Sequence, residues 1–145
     1  MRKRYRCSRI YMTIIVCLDK NGGQMFNRRR QSRDSAVTAD ICRIVGKRCL
    51  FCSPYSAQLF ARAGIALHIS SKFLSDAGKD DICFVEDAAV PQKEDCKEII
   101  VYNWNRDYPA DLYFDRDRLD GFRKTDVEEF KGISHEKITK EVYER

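Results

Sequence analysis

Short apolar runs alternate with predicted helices along this chain, and this alternation restricts the fold more than any other feature. Residues 13–18 (TIIVCL) are a continuous apolar run that starts with β-branched residues, a pattern typical of a strand buried on both faces. Asp34 can cap a helix over Ser35–Val45, whose apolar residues recur on one helical face, and Gly46 can end it. Alternating strands and helices predict a mostly parallel sheet with right-handed crossovers. Further strands are predicted at residues 48–52, 66–69, 82–85 and 98–104.

The pattern changes toward the end of the chain. Residues 112–114 and 122–125 are predicted as short antiparallel strands that form a hairpin at the edge of the sheet. Residues 134–144 are predicted as a final helix, because Ile138 and Val142 are four residues apart. We therefore predict an α/β fold: a single three-layer domain with a mostly parallel sheet, a C-terminal antiparallel hairpin and a final helix.

The net charge of +5 comes from the first eleven residues of the 145-residue chain, which hold five cations and no acid. Residues 12–145 have equal numbers of cations and acids, so their charge does not direct them to nucleic acid or anionic lipid. We interpret residues 1–11 as a basic arm, disordered or a non-native start, and residues 12–145 as a single domain. The apolar run at 12–18 is too short for a secretion leader, and no stretch approaches the ~20 apolar residues of a membrane span.

Seven cysteines are scattered through the chain, and four of them lie in predicted strands. An odd number of cysteines at core positions is typical of reduced, buried thiols, so we predict a cytoplasmic protein. Cys49 and Cys52 have CxxC spacing, but within a strand residues three apart point to opposite faces. We therefore predict neither a redox motif nor a metal site there.

The densest polar cluster follows the first strand and precedes the first helix. Guanidinium groups beside a helix N-terminus suit the phosphate or carboxylate groups of a nucleotide, an RNA backbone or an acidic partner. The alternative interpretation is a solvated loop whose charges are balanced by local acids. The cluster contains five residues that we predict to bind a ligand: Asn27, Arg28, Arg29, Arg30 and Arg33.

A second cluster lies at the end of the strand predicted at residues 98–104. An aromatic ring beside polar side chains at the carboxyl end of a strand fits the wall of a ligand pocket. The alternative is a rigid turn in which the tryptophan packs on the core. The predicted ligand-binding residues here are Asn103, Trp104, Asn105 and Arg106.

The sequence leaves the catalytic residues unknown. Asp34 and His135 are candidates for acid–base chemistry, and the competing interpretations are a helix cap for Asp34 and a structural histidine for His135. No Ser-His-Asp arrangement can be argued, because spacing in the sequence contains no information about contacts.

Several segments resemble dihydrofolate reductase in order and spacing. Residues 14–26 (IIVCLDKNGGQMF) resemble the family's first strand and mobile loop, and residues 48–60 (RCLFCSPYSAQLF) resemble its second strand and following helix. Residues 66–71 (ALHISS) resemble its third strand. The segments 98–104 (EIIVYNW) and 112–126 (LYFDRDRLDGFRKTD) resemble its closing strands. The resemblance implies a dihydrofolate-reductase-like sheet, NADPH as the cofactor and an acid on the first helix.

The family's signature residues are matched loosely. Phe26 and Asn27 stand near the place of the family's Pro-Trp pair, and only Asp34 could match its acid. Paired glycines, which let the backbone approach the cofactor pyrophosphate, are missing where residues 99–104 run into Asn105. We therefore predict no cofactor, with NADPH as the alternative.

A second, narrower resemblance involves residues 27–34 (NRRRQSRD), 102–111 (YNWNRDYPAD) and 130–144 (FKGISHEKITKEVYE). These segments resemble a family of short bacterial proteins that often carry a ribonuclease Z label. A two-zinc nuclease needs a dense cluster of His and Asp ligands, whereas this chain has two histidines far apart and no HxHxDH motif. The resemblance therefore implies an RNA-linked function without a two-zinc centre.

The leading functional prediction is a small α/β protein that binds a small anionic or nucleotide-like ligand through the 19–34 loop and the 103–108 turn. One alternative is an RNA-binding or RNA-processing protein that uses the arginine cluster and the N-terminal arm. The other is a divergent NADPH-dependent reductase. No motif indicates a particular reaction, and the oligomeric state is left open.

Overall fold

The computed structural model describes residues 12–145, so the predicted basic arm lies outside the described residues. Three α-helices are present within this range, α1 (Ser35–Val45), α2 (Pro54–Ala57) and α3 (Phe73–Asp76). The strands are β1 (Met12–Leu18), β2 (Gly23–Phe26), β3 (Arg29–Arg30), β4 (Cys49–Cys52), β5 (Ala66–Ile69), β6 (Ile82–Val85), β7 (Cys96–Asn103), β8 (Leu112–Tyr113), β9 (Arg123–Phe130) and β10 (Ile138–Glu144).

Seven strands form the main sheet in the order β5-β4-β6-β1-β7-β10-β9. The first five strands of this order pair in parallel, whereas β10 pairs antiparallel with both β7 and β9. The prediction of a mostly parallel α/β sheet with antiparallel strands toward the C-terminus is therefore confirmed. Strands β3, β2 and β8 form a separate small sheet. Because β1, β4, β6 and β7 are parallel, the loops that follow them meet at one edge of the main sheet.

The apolar run of β1 supplies both faces of the core. Ile15 packs on the face covered by α1, whereas Ile14 and Val16 pack on the opposite face with Phe73 of α3. Successive strand residues point to opposite faces, so a continuous apolar run is buried on both. The helices therefore cover both faces, which is the predicted three-layer arrangement.

Two helices begin at residues whose side chains cap them. The side chain of Asp34 accepts a hydrogen bond from the backbone N–H of Ala36, and that of Ser53 accepts one from Ser56. Gly46 ends α1 with a φ of 57°, a backbone conformation that favours glycine. The predicted start of α1 at Asp34 and its predicted end at Gly46 are confirmed.

Helix α1 is also bonded to the sheet through a buried carboxylate. Asp40 accepts hydrogen bonds from Tyr102 Oη on β7 at 2.5 Å and from Lys140 Nζ on β10 at 2.9 Å. Burial acts to raise the pKa of Asp40, but the bonds from Tyr102 and Lys140 lower it below its ordinary value. The ionised Asp40 thereby joins one helix to a parallel and an antiparallel strand.

The predicted final helix over residues 134–144 is wrong, because this segment contains strand β10. Ile138 and Val142 are four residues apart, and that spacing puts them on one face of a strand as well as of a helix. Both pack against the core on the face covered by α1.

The predicted hairpin between residues 112–114 and 122–125 is also wrong, since β8 pairs with β2 and β9 pairs with β10. No helix within residues 12–145 is both long and apolar enough to cross a membrane.

Candidate functional site

Asp34 is the centre of a buried polar network at the start of α1. Its Oδ1 atom accepts hydrogen bonds from the backbone N–H groups of Ala36 and Ile133, each at 2.9 Å. Its Oδ2 atom accepts bonds from the backbone and hydroxyl of Ser134, at 2.9 and 3.1 Å, and from Nδ1 of His135 at 2.9 Å. The carboxylate therefore caps α1 and also fixes the loop between β9 and β10.

The hydrogen bonds keep Asp34 ionised. Burial alone would raise the pKa of this carboxyl, but bonds from Ile133, His135, Ser134 and Ala36 outweigh it and hold the pKa well below its ordinary value. An ionised carboxylate only accepts hydrogen bonds, so the proton between Asp34 and His135 lies on Nδ1. In the neutral form of the imidazole, Nε2 is then an acceptor.

We expect Asp34 to make the stability of the chain fall in acid. Its pKa is lower in the folded chain than the ordinary value of about 4. Its contribution to the free energy of unfolding is therefore complete above about pH 4 and is lost as the pH decreases toward the folded pKa. Urea unfolding from pH 7 to pH 2 should show a steeper loss of unfolding free energy below about pH 4 in the wild type than in Asp34→Asn. Equal slopes for the two proteins would contradict this interpretation.

The His135 ring connects Asp34 to two hydroxyl groups. Nε2 lies 3.0 Å from Oγ of Ser32 and 3.2 Å from Oη of Tyr108. Tyr108 also donates a hydrogen bond to Oγ of Ser32 at 3.3 Å. The indole of Trp104 stacks on the imidazole with ring centroids 4.7 Å apart, and His135 is 3% exposed. Tyr108, Ser32, His135 and Asp34 thus form one continuous hydrogen-bonded chain.

The loop between β9 and β10 has no room for a side chain at Gly132. A Cβ atom at this position would collide with the carboxylate of Asp34 and lie 2.8 Å from Cδ1 of Ile138. The backbone of Gly132 also donates a hydrogen bond to the carbonyl of His135 at 2.9 Å. The glycine therefore lets this loop approach Asp34 closely enough to bond it.

A groove of about 680 Å³ lies between α1 and residues 59–63, beside Asp34. Its apolar lining comes from Ala39, Cys42, Leu59, Ala63 and Ile133. Arg33, Arg43 and Arg62 line it as well. Arg43 pairs with Asp40 at 2.6 Å, whereas Arg33 and Arg62 have no carboxylate within ion-pair distance in the described part of the chain. The groove therefore combines an apolar lining with two unneutralised guanidinium groups.

A second cavity adjoins the groove. It has a volume of about 10 Å³ and shares Arg33, Asp34, Thr38 and Leu59 with the groove. Ser32 and Trp104 complete part of its lining. This volume is about the least that can hold one water molecule, so the second cavity is a small space beside Ser32 at the side of the groove.

The predicted arginine cluster is divided in the structure. Arg28 in the turn after β2 and Arg29 on β3 are exposed, and Arg33 lines the groove. Arg30 instead forms a bidentate pair with the buried Glu86, at 2.8 and 3.0 Å. The backbone of Asn27 is held by the Asp111 carboxylate at 3.0 Å. Only part of the cluster is therefore free to meet a ligand in the described structure.

The residues of the predicted second cluster hold the loop before β10. Trp104 is buried against His135, and Arg106 donates a hydrogen bond to the carbonyl of Ser134 at 3.2 Å. Asn105 donates bonds to the Lys137 carbonyl and the Thr139 hydroxyl. The remaining predicted residue, Asn103, donates to the Glu141 carboxylate at 3.3 Å.

Asp19 joins the loop after β1 to the turn after β7. Its Oδ2 atom accepts hydrogen bonds from Nε2 of Gln31 and from the backbone N–H of Tyr108. Most residues of the predicted clusters line separate pockets, one containing Asn27, Arg29 and Arg30, the other Trp104, Asn105 and Arg106. Arg33 and Trp104 both line the second cavity, and the two segments are also joined by the hydrogen bond between Tyr108 and Ser32.

The described cysteines are free thiols. Burial raises the pKa of Cys52 to about 11 and that of Cys83 to about 12, so both stay protonated at neutral pH. Residues 12–145 contain no group of three or more His, Cys, Asp or Glu side chains that could hold a metal ion.

The strand order and the mixture of parallel and antiparallel pairing define a dihydrofolate-reductase-like α/β fold. The chain is similar in structure to dihydrofolate reductase from Enterococcus faecalis, solved in complex with NADP(H) and RAB-propyl, with a TM-score of 0.66. The match covers 94% of this chain and 98% of that chain at 9% sequence identity, which shows the fold alone. No protein-family model and no curated protein match the sequence.

The residues after β6 fit a cofactor pyrophosphate poorly. A pyrophosphate site needs a close backbone approach, usually through glycine, and a helix N-terminus. The segment that follows β6 starts with Glu86 and Asp87, contains no glycine and includes the single 3₁₀ turn Lys93–Asp95. Glu86 is already paired with Arg30, and Asp87 would repel an anionic group, so we derive no step that involves NADPH.

Proposed function

We propose that the protein binds a small organic anion in the groove between α1 and residues 59–63. The observation that supports the proposal is the pair of guanidinium groups, Arg33 and Arg62, that have no acidic partner among the described residues and flank an apolar lining. Arginine binds carboxylates and phosphates in a bidentate manner, and an apolar lining favours a ring or chain. The groove volume of about 680 Å³ lies in the usual range for small-molecule sites.

The ligand class follows from this lining. Leu59 and Ala63 offer an apolar surface on one side, and Ala39 and Cys42 of α1 offer one on the other. A flat aromatic or heterocyclic body with one or two acidic groups would contact both sides and reach the arginines. Nucleotides and pterin-like carboxylates meet this description. The free thiols support a cytoplasmic location, which stays a prediction.

The first test is a thermal-shift screen of the full chain with dihydrofolate, mononucleotides, NADPH and a short RNA. For the compound that stabilises the protein most, Arg62→Gln should weaken binding about tenfold, because one charge-assisted hydrogen-bond partner is lost. Isothermal titration calorimetry measures the change in Kd. The matched control is Arg123→Gln, which removes the same charge from the exposed strand β9 and should leave Kd unchanged.

Two outcomes would contradict the groove proposal. One is equal weakening by Arg62→Gln and Arg123→Gln, which would indicate a general charge effect. The other is a panel in which no compound changes the melting temperature. Stabilisation by NADPH that survives Arg62→Gln would favour the divergent reductase instead.

RNA binding is the second candidate, because an exposed aromatic ring lies beside two exposed arginines. Phe26 at the end of β2 is 45% exposed, and the exposed Arg28 and Arg29 follow it in the turn and at the start of β3. Aromatic stacking combined with arginine contacts is typical of single-stranded nucleic-acid sites. Binding of a short RNA should then weaken steeply with salt and depend on Arg28 and Arg29 rather than on Arg62.

A further inference from the structure

Ser32, His135 and Asp34 have the geometry of a nucleophile, a general base and a residue that positions the base. The distances are 3.0 Å from Ser32 Oγ to His135 Nε2 and 2.9 Å from His135 Nδ1 to Asp34 Oδ2. An imidazole that accepts the hydroxyl proton and is itself held by a carboxylate activates that hydroxyl. This arrangement is recognised by its geometry and not by the order of the residues along the chain. We propose that Ser32 is the nucleophile of an acyl-transfer reaction on a small ester or thioester, with His135 as its base.

The hydrogen bonds of His135 suit a base for Ser32. Nδ1 of His135 donates to Asp34, so in the neutral imidazole Nε2 is the acceptor that faces the Ser32 hydroxyl. Tyr108 Oη lies 3.2 Å from Nε2 and 3.3 Å from Ser32 Oγ. When Tyr108 donates to Oγ, the Ser32 proton points at His135, which is the arrangement needed at the start of the reaction.

The chemical step is balanced by these groups alone. As the Ser32 proton moves to His135 Nε2, Oγ forms a bond to the carbonyl carbon of the substrate. The imidazolium then returns that proton to the departing alkoxide or thiolate, and the bond from the acyl carbon to the leaving group breaks. Water repeats the sequence on the acylated serine and releases the acid, so no oxidant, reductant or metal takes part.

The surroundings favour the charges that develop. The Asp34 carboxylate faces Nδ1, and the Trp104 face stacks on the imidazole, so both stabilise an imidazolium. The backbone N–H groups of Ser32 and Arg33 donate no hydrogen bond to another described residue. They are the groups that could donate to an oxyanion beside Ser32.

The cavities provide a path for the substrate. The space of about 10 Å³ lined by Ser32 and Trp104 adjoins the groove through Arg33 and Thr38. If the groove holds an anion as proposed above, the substrate would be an ester or thioester with an acidic group elsewhere in the molecule. The reactivity of Ser32 itself does not depend on that ligand.

Diisopropyl fluorophosphate tests the proposal, because it reacts with activated serines and has no anionic group for the groove to bind. We expect the full chain to gain one label, which peptide mapping by mass spectrometry locates on Ser32. Ser32→Ala should not be labelled, and His135→Gln should be labelled at least about a hundredfold more slowly, the usual contribution of a general base. Ser75→Ala is the control, since Ser75 is an exposed serine on α3, and its labelling should equal that of the wild type.

Three outcomes would overturn the proposal. They are an unlabelled wild type, a label that remains in Ser32→Ala, and a labelling rate that is unchanged in His135→Gln while circular dichroism shows that this variant is folded. Any of them would leave the Ser32–His135–Asp34 chain as a structural link between the loop before α1 and the loop before β10. Hydrolysis of p-nitrophenyl acetate gives an independent readout, and it should be lost in Ser32→Ala but kept in Ser75→Ala.

Discussion

Asp34→Asn is expected to lower the free energy of unfolding by about 3 kcal/mol or more, because it removes a buried charge that accepts three hydrogen bonds at Oδ2. They come from the backbone and the hydroxyl of Ser134 and from Nδ1 of His135. An asparagine Nδ2 at that place would bring a donor against these donors. Oδ1 would keep its bonds to Ala36 and Ile133, so the helix cap itself would survive. Urea denaturation followed by circular dichroism measures the loss.

Asp115→Asn is the matched control for this prediction. Asp115 also starts a helical turn, where its side chain accepts a bond from Asp117, but it is exposed and contacts no distant segment through its carboxylate in the described structure. Its replacement should cost about 1 kcal/mol or less. If Asp34→Asn and Asp115→Asn are equally destabilising, Asp34 is a local cap and does not hold the loop before β10.

Arg30→Gln is the second substitution with a large expected effect, about 3–5 kcal/mol of unfolding free energy, because it leaves a buried carboxylate without its counter-charge. The side chains of Arg30 and Glu86 are 17% and 8% exposed, and they share two hydrogen bonds. After the substitution, the Ser56 hydroxyl at 2.8 Å would be the remaining side-chain donor to Glu86. The guanidinium also lies 4.5 Å from the centre of the Tyr55 ring, so packing is lost as well.

The double variant Arg30→Gln/Glu86→Gln separates charge from packing. It removes the uncompensated carboxylate, so it should be more stable than Arg30→Gln alone. Lys97→Gln is the control, because Lys97 forms a solvent-exposed pair with Asp80 and should shift the unfolding midpoint far less. Equal effects of Arg30→Gln and Lys97→Gln would mean that the Arg30 pair behaves as an exposed one.

The parallel part of the fold could be predicted from local patterns, because the sequence of each strand or helix indicates its type and where it begins. The apolar run of β1 needs two covered faces, and Asp34 and Ser53 mark the starts of α1 and α2. The segment over residues 134–144 could not be decided in this way, because the spacing of Ile138 and Val142 fits both a helix and a strand. Pairing with β7 and β9 selects the strand, and that information is nonlocal.

The site was less predictable, because its contacts join distant segments. Asp34 was a candidate acid and His135 a candidate base, but nothing in their spacing indicates the bond between them. Arg29 and Arg30 are neighbours on β3, yet Arg29 is exposed while Arg30 meets Glu86. Glu86 was missed, although an acid directly after the buried strand β6 was a usable signal. Nothing in the sequence marked Arg62 as a candidate binding residue, because its proposed role depends on the groove, which exists only in the folded chain.

The contact between His135 and Asp34 spans 101 residues of sequence, and that between His135 and Ser32 spans 103. Contacts of this range must offset the entropy of closing a long loop, and they form late in folding compared with local ones. A chain in which the β9–β10 hairpin has detached from β7 would keep the pairing of β5, β4, β6, β1 and β7, but it would have lost His135 from the site. Assembly of the site therefore depends on docking of that hairpin, so any ligand that needs His135 would shift the equilibrium of hairpin docking when it binds.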